Sequence, residues 1–157
     1  MPRKNPRVFL DTSVLFAAVL SPGGGARKLM LLSEAGFIDL AAGPAVLAEC
    51  DKVIRRKTAD SLPLFARLLE SARIEICTSP TRSQLKTARS LVHYLPDARV
   101  LAEALRARPD WFVTHDKVHF LKKQLDFDLP FTVGTPGDFL QAFREAFGSL
   151  TGPAAET

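Results

Sequence analysis

Short apolar runs recur along the chain, each followed by a stretch in which apolar positions return every third or fourth residue. Arg7 to Leu10 reads as a buried strand, followed by a helix from Val14 to Leu20. Ser21-Pro-Gly-Gly-Gly25 breaks that helix, since Pro and consecutive Gly interrupt regular structure strongly. A second helix covers Ala26 to Ala35, with Gly36 closing its end. A strand is expected over Phe37 to Ala41, then a helix from Pro44 to about Lys57, with Pro44 suited to the first turn. Helix follows at Ser61 to Ala72, strand at Ile74 to Cys77, and helix at Thr81 to Val92. Pro96-Asp97 opens a helix to about Arg106 that carries Val100, Leu101, Ala104 and Leu105 on one face. A strand at Trp111 to Thr114, a short helix near Val118 to Gln124, a strand at Phe131 to Val133 and a helix from Thr135-Pro136 to about Phe147 complete the pattern. The last residues, 149–157, read as a flexible tail.

Alternating strands and helices imply βαβ units around a mainly parallel sheet, an α/β fold. Sites in such folds lie at the carboxyl ends of the strands. The chain has 157 residues, 46% hydrophobic and 24% charged, which suits one globular domain over residues 1–148 and excludes a disordered or fibrous chain. Cys50 and Cys77 form neither a disulfide framework nor a zinc pattern, and both sit in apolar runs, so a reduced, cytoplasmic setting is expected. The basic start and the apolar stretch to Leu20 imitate a signal peptide, but Asp11-Thr12-Ser13 interrupts it. No run approaches the roughly 18 apolar residues of a membrane span.

Three aspartates stand where an α/β site belongs. Asp11 directly follows Val8-Phe9-Leu10, Asp116 comes just after Val113-Thr114, and Asp97 opens the helix leading into the Trp111 strand. Glu49 sits at the border of the arc formed by Val46, Leu47, Cys50, Val53 and Ile54, so its side chain can turn into a cleft beside the core. Each aspartate also suits a helix N-cap. Capping does not explain why the acids gather at strand ends. Carboxylates brought together raise one another's pKa, and a hard cation relieves that repulsion. Mg²⁺ or Mn²⁺ prefers carboxylate oxygen and keeps positions open for phosphate oxygens, which points to metal-assisted phosphodiester hydrolysis.

Five segments then resemble one known family, in order and spacing. Val8-Phe-Leu-Asp-Thr-Ser-Val-Leu15 resembles the opening motif of PIN-domain nucleases. Gly43-Pro-Ala-Val-Leu-Ala-Glu49, Leu95-Pro-Asp-Ala-Arg-Val-Leu-Ala-Glu-Ala-Leu105 and Trp111-Phe-Val-Thr-His-Asp-Lys-Val-His-Phe-Leu121 resemble the segments that supply the other acids. Val133-Gly-Thr-Pro-Gly-Asp-Phe-Leu140 is similar to the usual last strand and helix. The resemblance covers roughly residues 7 to 147. It implies a PIN-like α/β/α sandwich, Mg²⁺ or Mn²⁺ at Asp11, Glu49, Asp97 and Asp116, and endoribonuclease activity. It is nearest to the VapC-like toxins of bacterial and archaeal toxin–antitoxin pairs, which implies a homodimer and an antitoxin partner. Where many members carry one more acid before the third motif, this chain has His93, Tyr94 and Leu95, which bears on a second metal. Ser13, Thr12 and Thr114 are expected to bond the acids or a metal-bound water. Asp110 and Asp138 are expected to be structural.

RNA needs cations near so acidic a pocket. The net charge is +4, which permits a nucleic-acid partner. Arg27, Lys28, Arg99, His115 and Lys117 are the candidates, from their places beside the glycine loop and the proposed ligands. The 11 Phe fall mostly at core spacing, and Tyr94 and Trp111 are assigned to the core as well, so no stacking platform for bases is expected. A catalytically silent PIN-like module that binds RNA or protein is the alternative reading. A phosphotransfer domain with Asp11 as nucleophile fits less well, since Ser13 stands where that class has a second Asp.

Overall fold

The computed structural model describes residues 5–116 and 129–151, with side chains to 148. Among these residues the chain runs β1 (Arg7–Leu10), α1 (Thr12–Leu20), α2 (Gly25–Glu34), β2 (Asp39–Ala42), α3 (Pro44–Lys57), a 3₁₀ turn (Ala59–Ser61), α4 (Leu62–Ser71), β3 (Glu75–Ile76), α5 (Arg82–Leu91), α6 (Leu95–Ala107), β4 (Trp111–Val113), β5 (Thr132–Gly134) and α7 (Pro136–Thr151). The expected helix near Val118 to Gln124 lies outside the described residues. The last helix continues to Thr151, past its expected end near Phe147. Phe139, Phe143 and Phe147 stack at helical spacing along it, with neighbouring centroids 5.9 and 6.2 Å apart.

The strands form one parallel sheet in the order β3-β2-β1-β4-β5. Val8, Phe9 and Leu10 have no exposed surface, so both faces of β1 are covered, which is why the strand reads as an unbroken apolar run. Phe9 stacks on Phe112 of β4 at 5.6 Å, and Phe112 touches Phe131 at 6.0 Å. Chain order runs outward from β1 in both directions, so the winding reverses between β1 and β4. That reversal opens a crevice at the carboxyl ends of the two strands.

Turn chemistry sets the connections. Gly36 adopts φ +86°, its N–H donates to Ser33 O, and the N–H of Phe37 donates to Leu32 O. This Schellman closure ends α2 and needs a residue that tolerates the left-handed region. Thr81 and Gln84 bond each other's backbone N–H groups in a capping box that starts α5. Arg7 is tied at the amino edge of the sheet to Ala107 O and Glu75, and its N–H donates to Asp110. Asp110 is therefore structural, as is Asp138, which forms a reciprocal cap with Thr135. Among the described residues no single helix is long and apolar enough to cross a membrane.

Candidate functional site

β1 delivers Asp11 to the crevice. Its backbone N–H still donates to Val113 O of β4, at 3.0 Å, so the residue is fixed to both strands before α1 begins. Asp11 is the N-cap of α1, and its Oδ1 accepts the Thr12 N–H at 2.8 Å. Its Oδ2 accepts the hydroxyls of Thr114, at 2.7 Å, and Ser13, at 3.3 Å. Each hydroxyl also accepts a backbone N–H from the β4 loop: Thr114 Oγ1 from Asp116 at 2.9 Å, Ser13 Oγ from His115 at 3.1 Å. Two hydroxyl relays thus bolt the Asp116 loop to Asp11. Asp11 is only 7% exposed. Burial pushes its carboxyl above the ordinary range, and the nearby Asp116 adds to the rise, against the lowering by its donors.

The other two acids arrive on helices. α3 carries Glu49, an exposed residue whose Oε2 accepts the Thr12 hydroxyl at 3.1 Å. α6 carries Asp97 in its first turn, where the helix dipole favours a carboxylate, and Asp97 Oδ2 is shut off from solvent. Asp11, Glu49, Asp97 and Asp116 all line one cleft of about 590 Å³, together with Thr12, Ser13, Phe16, Lys52 and Tyr94. Four carboxylates and two hydroxyls make a hard oxygen donor set, the kind that suits Mg²⁺ or Mn²⁺. Among the described residues, no three acidic, histidine or cysteine side chains stand close enough to share an ion. The donor set fits a hard cation in chemistry, and closing on one requires the side chains to swing inward.

The cations expected from the sequence distribute differently. Arg27 donates through Nε to Ala18 O at 2.7 Å and so closes the end of α1. Lys28 borders a groove between α2 and α7, away from the acids. Arg99 is exposed on α6 and faces Glu103 electrostatically. His115 is exposed and held by Ser13. Lys117 lies outside the described residues. Among the described residues Lys52, one turn beyond Glu49 on α3, is the cation that lines the cleft, and its i, i+3 spacing from Glu49 was the signal for it.

The assignment of Tyr94 to the core fails, since it is 59% exposed at the start of α6. Trp111 does pack, edge to face on Phe139 at 5.4 Å. Glu103 is the other residue the sequence concealed. It has no exposed surface, and its carboxylate accepts the N–H of Ala45 at 2.7 Å and of Val46 at 3.3 Å, capping α3 from α6. A Cβ on Gly43 would collide with that carboxylate, so the glycine makes the room. Burial raises the Glu103 carboxyl, against the two N–H groups and Arg99. Cys50 and Cys77 are buried, their thiols pushed by burial to about 12 and about 11, so neither is a nucleophile at neutral pH.

The family model for the PIN domain matches residues 7–118, the span that carries all four acids. The chain belongs to the PIN-domain family. The fold is also similar to that of the Mycobacterium tuberculosis toxin VapC20, a protein that cleaves the sarcin–ricin loop. That likeness has a TM-score of 0.53 at 16% identity and covers 71% of this chain and 91% of VapC20. No curated protein matches the chain. Within this PIN domain the acids sit at the topological switch point, with Asp11 innermost and Glu49 at the solvent side.

Proposed function

We propose that this PIN-domain chain is a divalent-metal-dependent endoribonuclease that hydrolyses RNA phosphodiester bonds. One observation carries the reading: Asp11, Glu49, Asp97 and Asp116, drawn from distant parts of the chain, line a single cleft at the switch point. In this reading the four carboxylates hold Mg²⁺ or Mn²⁺. A bound ion of this kind polarises the phosphodiester and stabilises the leaving oxygen. Thr114 and Ser13 orient the Asp11 carboxylate and keep the Asp116 loop in place. Thr12 directs Glu49. Lys52 offsets the acidic field at the rim, where an RNA backbone must approach.

The resemblance to toxins extends the reading to a toxin that has a cognate antitoxin and acts as a homodimer. The test incubates the purified chain with structured and single-stranded RNAs, with Mg²⁺ or Mn²⁺ and with EDTA. Cleavage that requires the ion and disappears in Asp11→Asn supports the reading. Cleavage that persists in EDTA, or in that variant, sinks it. The wide spacing of the acids favours a second reading, a catalytically silent module that binds RNA or protein. Calorimetry separates the two, since an enzyme binds Mn²⁺ at millimolar or tighter affinity and a silent module does not.

A further inference from the structure

Tyr94 is the only tyrosine of the chain and stands three positions before Asp97. It occupies the N-cap position of α6 but makes no side-chain cap bond there. Ser, Thr, Asp or Asn would serve that position better, so helix chemistry does not account for the ring. Nor does the core, since the residue is 59% exposed. Tyr94 lines the cleft of Asp11, Asp97 and Asp116, with Lys52 in the same lining. An aromatic face, a cation and a carboxylate cluster in one cleft correspond to the parts of a nucleotide: base, phosphate backbone and the bond to be cut.

We propose that Tyr94 is a stacking platform for one unpaired nucleobase of the substrate RNA, with Lys52 gripping the adjoining phosphate. The inference rests on the nuclease reading and narrows its substrate class. A base inside a duplex has both faces covered by its neighbours, so only an unpaired or looped-out base can lie on the ring. Every base has a π-face, so stacking favours single-stranded structure at the cut site without choosing the base. The distinction between paired and unpaired RNA is thereby made beside the acids rather than at a remote site.

The experiment measures the affinity of a labelled single-stranded oligoribonucleotide by fluorescence anisotropy, in an Asp11→Asn background so that the RNA stays intact. Tyr94→Phe keeps the ring and should keep the affinity. Tyr94→Ala and Tyr94→Leu should each weaken it about tenfold, the scale of one lost base stack. The same sequence as a fully paired duplex should bind all four chains alike. An oligonucleotide carrying 5-iodouridine at the cut site should photocrosslink to Tyr94, located by mass spectrometry. Unchanged affinity in Tyr94→Ala, retention in Tyr94→Leu, an equal loss on duplex, or no binding of single-stranded RNA at all overturns the platform. Cleavage by the wild-type chain is read separately. A chain that cuts RNA yet ignores Tyr94→Ala loses the platform and keeps the nuclease reading. One that cuts nothing but needs the ring to bind does the reverse.

Discussion

Asp11 collects a backbone N–H and two hydroxyls around a carboxylate that solvent scarcely reaches. These donors favour the ionised form, but burial outweighs them and raises its pKa. A carboxyl raised on folding adds stability that is fully present below its unfolded pKa and is lost as pH rises through the folded value. The metal-free wild-type chain should therefore lose stability relative to Asp11→Asn as pH climbs from the acid range towards neutrality. Thermal melts of both in EDTA, subtracted at each pH, measure this; a flat difference would contradict it. Thr114 serves two partners with one buried hydroxyl, so Thr114→Val takes one donor from the carboxylate and the acceptor from the Asp116 N–H. It should cost about 1–3 kcal/mol in urea unfolding. Cleavage should fall at least about tenfold, and Thr114→Ser should recover most of it. Asp11, Glu49, Asp97 and Asp116 were legible because each sits at a strand end, at a helix start or on the border of an apolar arc. Tyr94 was not, because an aromatic beside a helix start has the same local pattern whether it turns inward or out.

The elements that bring Glu49 and Asp97 together are joined by Glu103. It belongs to α6, six positions after Asp97, yet it caps α3 through Ala45 and Val46. In sequence it lies off the apolar face of Val100, Leu101, Ala104 and Leu105, and nothing local marked the helix it would meet. Pro44 at the first turn removes one N–H that would need a partner, and Gly43 leaves space for the carboxylate. Gly43→Ala should destabilise by about 1–3 kcal/mol through overpacking against that carboxylate. Urea unfolding checks the value, and loss of hydrogen-exchange protection at Ala45 and Val46 in Glu103→Ala checks the mechanism. Strand limits shifted by a residue or two against expectation, since hydrogen bonding to the neighbouring strand decides where β structure stops. Asp39–Ala42, for instance, starts where the N–H of Asp39 meets Pro6 O.

At the scale of the molecule, the net charge of +4 combines a carboxylate-lined cleft with cations spread elsewhere. RNA affinity should fall as salt rises, with a log–log slope that counts the phosphates contacted. Lys52→Gln should reduce that slope by about 0.7, the increment of one phosphate contact on a single strand, whereas Lys28→Gln, on the α2–α7 groove, should leave it unchanged. Anisotropy titrations between low and physiological salt measure both.

By itself the sequence determined the alternation of strands and helices, the buried strand that ends in Asp11, and the positions of four acids in a PIN-domain order. The first two follow from periodicity and from the placement of polar residues beside apolar runs, both local properties, and the order of the acids from the resemblance of the motifs that carry them. Only the tertiary structure decided which groups share the cleft. Strand order put β4 beside β1, so Thr114 could reach Asp11 across 103 positions of chain. Helix packing sent Arg27 to the end of α1, left Lys52 and Tyr94 at the cleft, and buried Glu103 at the start of α3. Burial and partnership depend on contacts distant in sequence, and no local pattern encodes them.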